Sequence, residues 1–133
     1  MRKENLVVEA VVRSLRRKGF QVNTEVPNFH RSADVAAVDR QGNVWVIECK
    51  VSSLGRAIEQ CVTHKLAADK VLVATPYRKT RDGTVQKLRT AGLGLMYVMP
   101  DGSIEKAFDP SRGHCPWNLA RDRLRKAIVG LER

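Results

Sequence analysis

Residues 34–50, Asp34-Val35-Ala36-Ala37-Val38-Asp39-Arg40-Gln41-Gly42-Asn43-Val44-Trp45-Val46-Ile47-Glu48-Cys49-Lys50, decide how this chain is read. Two apolar runs, 34–39 and 44–51, are predicted strands joined through Arg40-Gln41-Gly42-Asn43 as a hairpin. Asp34, Glu48 and Lys50 interrupt these runs with charge. Side chains alternate along a strand, so Glu48 and Lys50 share one face while Ile47 and Cys49 share the other. Cys49 is therefore read as core. A Glu and a Lys on one face of a central strand are costly to bury unless they are paired or have a task.

The turn places the third charged residue. A three-residue hairpin loop is commonly a type I turn closed by a left-handed residue, usually Gly, and Arg40-Gln41-Gly42 meets that requirement. Asp39 then faces Asn43, and counting back along both strands sets Asp34 opposite Glu48. Carboxylates on neighbouring strands, with Cβ atoms roughly 5 Å apart, repel each other. A hard divalent cation with oxygen ligands removes that repulsion. Lys50 would then stabilise charge on a phosphoryl group or orient the attacking water. Two alternatives stand beside this reading. A two-residue turn at Gln41-Gly42 opposes Asp34 with Cys49 and destroys the site, and a purely structural reading makes Glu48 and Lys50 an exposed edge-strand pair and Asp34 a strand-start cap.

Outward from this hairpin, Leu6, Val7, Val8, Val11, Val12 and Leu15 recur at helical spacing, predicting a helix over 3–18 that Gly19 stops. Phe20, Val22, Thr24 and Val26 alternate as a half-buried strand, and Asn28 to Arg31 read as a loop. A helix over 56–68 gathers Ala57, Ile58, Cys61, Val62 and Leu66 on one side and leads to an apolar strand, 71–75. Strand, helix, strand implies a right-handed crossover and a parallel pair. A helix over 83–91, a strand over 93–99, an edge strand over 103–108 and a loop over 109–117 follow. Asn118 caps a last helix that turns Ala120, Leu124, Ala127, Ile128 and Leu131 inward and Arg121 and Arg125 outward. The expectation is one α/β domain over 1–133, a mixed central sheet flanked by helices, with a core at about 4–108 and a C-terminal helix at about 118–131.

A chain of 133 residues supports one core rather than two, and 43% apolar residues exclude a disordered chain. No apolar run approaches the roughly 20 residues that span a bilayer. Met1-Arg2-Lys3-Glu4 turns acidic before a signal-type core can form, which predicts a cytoplasmic protein. Cys49, Cys61 and Cys115 show neither a disulfide framework nor the spacing of a structural zinc site. Twenty-four Lys and Arg against fourteen Asp and Glu leave +10, which points to a polyanionic partner. The basic residues fall at Arg13 to Lys18, Arg78 to Arg81 and Arg121 to Lys126, so the folded surface carries the excess. Aromatic residues at 5% argue against a single-strand binder built on base stacking.

The succession helix, strand, Asp-bearing strand, Glu-x-Lys strand, helix, strand over residues 4–76 resembles the PD-(D/E)XK nuclease superfamily, with its restriction-endonuclease-like fold. The resemblance implies Asp34 and Glu48 as metal ligands and Lys50 as the catalytic lysine, with Ala33 standing where a Pro often precedes the Asp. Many members carry a Glu on the first helix near the metals. Here Glu4 falls on the Val7, Val11 and Leu15 face while Glu9 falls on the far side, which selects Glu4. A Gln on the helix after Glu-x-Lys is matched by Gln60, with His64 one turn further on read as a surface histidine and Ser52 and Ser53 as helix caps. The segment from Leu15 to Phe20 is similar to archaeal-type Holliday junction resolvases, and Glu25-Val26 to small phosphodiesterase-like members. The resemblance thus implies a Mg²⁺- or Mn²⁺-dependent endonuclease acting as a homodimer on DNA rather than RNA, and the sequence does not choose between the resolvase-like members, which would make it structure-specific, and the phosphodiesterase-like ones. The alternative is a catalytically inactive nuclease-fold subunit that binds DNA or serves assembly.

Overall fold

Gly42 turns the chain back with a left-handed backbone (φ 85°), which costs a residue without Cβ little. In the computed structural model, which describes residues 3–111 and 115–130, Asp39 N–H donates to Asn43 O at 3.0 Å and Gly42 N–H to Asp39 O at 3.1 Å. The Asp39 carboxylate ties the turn further, accepting from the Gln41 and Asn43 amides and from Trp45 Nε1, each at 2.9 Å. The result is the three-residue loop, with Val38 opposite Val44 and Val35 opposite Ile47. The two-residue alternative is not adopted.

The elements run α1 (Lys3–Arg17), β1 (Gln21–Asn28), β2 (Arg31–Val38), β3 (Val44–Cys49), α2 (Leu54–His64), β4 (Lys70–Pro76), α3 (Asp82–Thr90), β5 (Gly94–Val98), β6 (Ile104–Phe108) and α4 (Asn118–Gly130). The strands form one six-stranded sheet in chain order. The β3–β4 and β4–β5 pairs are parallel and the others antiparallel, so the sheet is mixed. Parallel strands need both faces covered, and Val71 to Ala74 are buried throughout. One layer is α1, whose Val7, Val11 and Leu15 pack on Val22, Val35, Trp45, Ile47 and Leu72. The other layer is α2, α3 and α4, whose Ala57, Cys61, Leu88, Leu124 and Ile128 pack on Ala36, Val44, Val46 and Val73. The α/β fold expected from the sequence is the fold observed. Among the described residues no helix is long and apolar enough to cross a membrane.

Several local expectations are corrected. Strand β1 does not keep one apolar face, because Glu25 is left-handed (φ 50°) and swaps the alternation. Val22 consequently packs in the α1 layer and Val26 in the opposite one. The loop at 28–31 is a two-residue turn, with Asn28 paired to Arg31 and Phe29 left-handed (φ 59°). Helix α2 is rotated from the expected stripe, burying Leu54, Ala57, Cys61 and His64 while Val62 and Leu66 are exposed. His64 is thus a core residue. Ser53 precedes α2 in a left-handed conformation and makes no side-chain capping bond.

Arg121 and Arg125 do not point away either. Helix α4 crosses β1, β2 and β3, which brings its arginines to the β2–β3 turn. Arg121 Nε donates to both Asp69 oxygens at 2.9 and 2.7 Å, and Arg125 Nη2 donates to the Gly42 carbonyl at 2.8 Å. Asp69 in turn accepts the Val44 amide at 2.7 Å, fastening α4 to the start of β3. Leu131 and Gly113 lie outside the described residues. Replacing Arg121 by Ala strips a half-buried carboxylate of its cation, a change that costs about 2 kcal/mol when a charged hydrogen bond is lost. Urea denaturation should show that loss as a lower midpoint at unchanged slope, and an unchanged midpoint would mean that Arg121 is merely solvated.

Candidate active site

The site is built where two strands break their pattern at the same level. Between the Thr24–Val35 and Val26–Ala33 pairs, Glu25 and Asp34 form no ladder pair. Ala33 and Ala36 both pack toward α2 and α4, with Val35 between them facing α1, so β2 swaps faces at Asp34. Released from the ladder, the half-buried Asp34 turns its carboxylate across to β3, where Oδ2 accepts the Cys49 N–H at 2.8 Å.

Glu48 is buried in β3, on the face of Val44 and Val46. The Asp34 and Glu48 carboxyls are within hydrogen-bonding reach of each other. Burial, reinforced by the hydrogen bond and the negative charge of Glu48, raises the Asp34 pKa from 3.8 to about 7, against the Cys49 amide and the charge of Lys50. Burial also pushes Glu48 upward, but hydrogen bonds with His64 and Asp34 and the charge of Lys50 outweigh it and hold Glu48 below its ordinary range. The two carboxyls titrate as a pair, with the shift upward at Asp34 and downward at Glu48.

His64 is fully buried, and its Nε2 lies 2.5 Å from Glu48 Oε1. Its Nδ1 lies 2.8 Å from the amide nitrogen of Asn28, itself buried at the end of β1. Neither residue was singled out for the site by sequence. A usable signal existed, since His64 extends the Leu54, Ala57, Cys61 stripe at helical spacing, but the larger Val62 and Leu66 suggested a different face.

The other expected residues divide. Lys50 directly follows β3, is half-buried, and donates its N–H to Ala74 O at 2.9 Å, while its charge favours ionisation of both carboxylates. Glu4 lines, with Asp34 and Cys49, a cavity of about 1170 Å³ beside α1. Glu9 lines the same cavity, as do Arg13, Arg16 and Arg17, so Glu9 is not on a far side and the wheel does not separate the two glutamates. Gln60 is half-buried on α2 and, among the described residues, shares no hydrogen bond with the pair. The Cys49 and Cys61 thiols are pushed well up by burial and by the neighbouring carboxylates, which suits inert core cysteines.

Among the described residues no group of three or more His, Cys, Asp or Glu is arranged to hold a metal ion. The Asp34–Glu48 pair is a two-carboxylate oxygen donor set, which fits a Mg²⁺-type cation that keeps several waters rather than a closed protein cage.

No family model matches the sequence, and no curated protein matches it. Solved structures do. A protein of unknown function from Silicibacter pomeroyi is similar over 99% of this chain and 87% of its own, with a TM-score of 0.76 at 22% identity. A repair endonuclease from Pyrococcus abyssi is similar over 75% of this chain, with a TM-score of 0.57 at 21% identity, and this chain spans 49% of its length. At such identities the likeness establishes the fold, an α/β architecture shared with a nuclease.

The raised Asp34 pKa makes stability depend on pH in a defined direction. Between 3.8 and about 7 the folded protein holds a proton that the unfolded chain has released, so this contribution is full below 3.8 and is lost as pH rises through 7. Glu48, held low, acts in the opposite sense and only below its ordinary 4.5, outside this window. With divalent cations chelated, the wild-type melting temperature should fall between about pH 5 and about pH 8 by more than that of Asp34→Asn. Parallel pH profiles for the two proteins would show that the carboxyls do not share a proton.

Proposed function

We propose that this protein is a divalent-cation-dependent endonuclease that hydrolyses phosphodiester bonds in DNA, with structured forms such as four-way junctions as substrates. The observation that carries the proposal is the convergence of Asp34 and Glu48 from neighbouring strands, with the charge of Lys50 acting on both. The net charge of +10 and the fold shared with a repair endonuclease support it.

Asp34 and Glu48 would hold Mg²⁺ or Mn²⁺, which when bound supplies Lewis acidity and a water of lowered pKa. The Cys49 amide keeps the Asp34 carboxylate in place for that task. Lys50 offers a cation to the charge that develops on the phosphoryl oxygens. Arg13 and Arg17 line the cavity that Asp34 also lines, offering contacts for the flanking phosphates, and Glu4 stands at its acidic end. Gln60 remains a peripheral candidate on α2. Exposed Phe29, Leu66 and Trp117, with the Phe29 and Trp117 rings 5.6 Å apart, support action as a homodimer.

A second reading, a non-catalytic nuclease-fold DNA-binding or assembly subunit, is favoured by the hydrogen bond that Glu48 already makes with His64 within the protein. Plasmid, single-stranded, flapped and four-way DNA, with matched RNA forms, discriminate the two when incubated with Mg²⁺ or Mn²⁺. The wild type should cut DNA only with metal, more slowly as salt rises, and Asp34→Ala or Lys50→Ala should lower the rate roughly 100-fold or more. DNA binding without cleavage on every substrate would establish the second reading instead.

A further inference from the structure

We infer that His64 is a positioning residue for the metal site, held in its donor form by Asn28, so that Glu48 is oriented by a relay drawn from three separate elements. The inference rests on the reading of Asp34 and Glu48 as cation ligands. Three polar side chains lie buried in a line: Asn28 at the end of β1, His64 at the end of α2 and Glu48 in β3, exposed by 6%, 0% and 3%. The elements that carry them also supply Val26, Ala57 and Cys61 to the apolar core. A polar group is kept in such surroundings only when its hydrogen bonds are made, and a half-satisfied chain would cost more than an apolar one.

The chain has a direction. The Asn28 amide nitrogen can only donate, so the Nδ1 it faces must accept, which puts the ring proton on Nε2. Nε2–H then donates to Glu48 Oε1. Asn28 and the Glu48 carboxylate thus call for the same tautomer, in which His64 meets Glu48 as a donor rather than as a competing acceptor. The backbone supports the arrangement: Asn28 is paired to Arg31 across a two-residue turn whose Phe29 takes a left-handed φ of 59°. A β-strand end is thereby aimed into the helix layer. Fixing one edge of the Glu48 carboxylate leaves its orientation toward Asp34 determined before any cation arrives. Residues that hydrogen-bond a ligating carboxylate typically change metal affinity 10- to 100-fold when removed.

The test is a calorimetric titration with Mn²⁺ of wild type, His64→Leu, His64→Gln and Asn28→Leu, each first checked for a cooperative melt without metal. Uptake by the wild type that Glu48→Ala abolishes tests the underlying reading, and no uptake there sinks that reading rather than the relay. Given wild-type uptake, His64→Leu should bind roughly 10- to 100-fold more weakly. His64→Gln, whose side-chain amide can donate to the same oxygen, should recover most of that loss. Asn28→Leu touches neither carboxylate and should weaken binding in the same direction by a smaller factor. Wild-type affinity in His64→Leu, or a Gln variant as weak as the Leu variant, overturns the inference. Should His64→Leu fail to fold, Asn28→Leu decides, and unchanged affinity in it overturns the relay.

Discussion

Two carboxyl groups from neighbouring strands are forced into one half-buried space, and much of the local structure answers that constraint. Like charges at this separation repel, and burial together with that repulsion pushes the Asp34 pKa up to about 7. A fold selected for stability alone would place apolar residues at positions 34 and 48, as it does at Val35, Val46 and Ile47 around them. Local rules broken in this way, within a sheet otherwise consistent at every level, are where function is expected. The Cys49 amide, the Lys50 charge and the His64 ring all compensate for the same apposition.

The register that creates the apposition was legible in the sequence because one glycine encodes it. Gly42 marks the left-handed end of a three-residue loop, and strand periodicity carries that information eight residues back to Asp34 and six forward to Glu48. The layer order was legible for a similar reason, since the apolar spacing of α1 and the Val-Leu-Val-Ala run of β4 each permit one environment. What was hidden depends on tertiary packing. Helix α2 offers two apolar stripes, and the sheet chose the small residues Ala57 and Cys61, which let the backbones approach and carried His64 inward with them. The face swap at Glu25 has no sequence signal of its own, because a left-handed Glu is stabilised only by its surroundings.

The basic surface was legible in amount but not in distribution. Arg121 is committed to Asp69 and Arg125 to the Gly42 carbonyl. Arg16 donates to Val22 O and Arg78 to Val51 O. A guanidinium fixed on a carbonyl keeps its charge, so these residues still attract a polyanion over a Debye length, but their geometry is set by the fold rather than by a ligand. The cavity beside α1 is polarised along its length, with Arg13, Arg16 and Arg17 toward one end of the helix and Glu4 toward the other. Glu9 and Glu25 line it as well, so acidic and basic side chains share one groove.

Backbone strain points to the same place independently of charge. Among the described residues the non-glycine positions with left-handed φ are Glu25, Phe29 and Ser53. Each costs on the order of 1–3 kcal/mol unless its surroundings over-determine it. Glu25 stands at the level of Asp34, Phe29 follows Asn28, and Ser53 lies in the short segment between Lys50 and α2. Random strain would scatter over the many turns of a six-stranded sheet, and the β4–α3, α3–β5 and β5–β6 connections carry left-handed residues only as Gly92 and Gly102. Glu25 within β1, Phe29 in the turn after Asn28 and Ser53 ahead of α2 thus hold the backbone against its own preferences beside Asp34, Asn28 and Lys50.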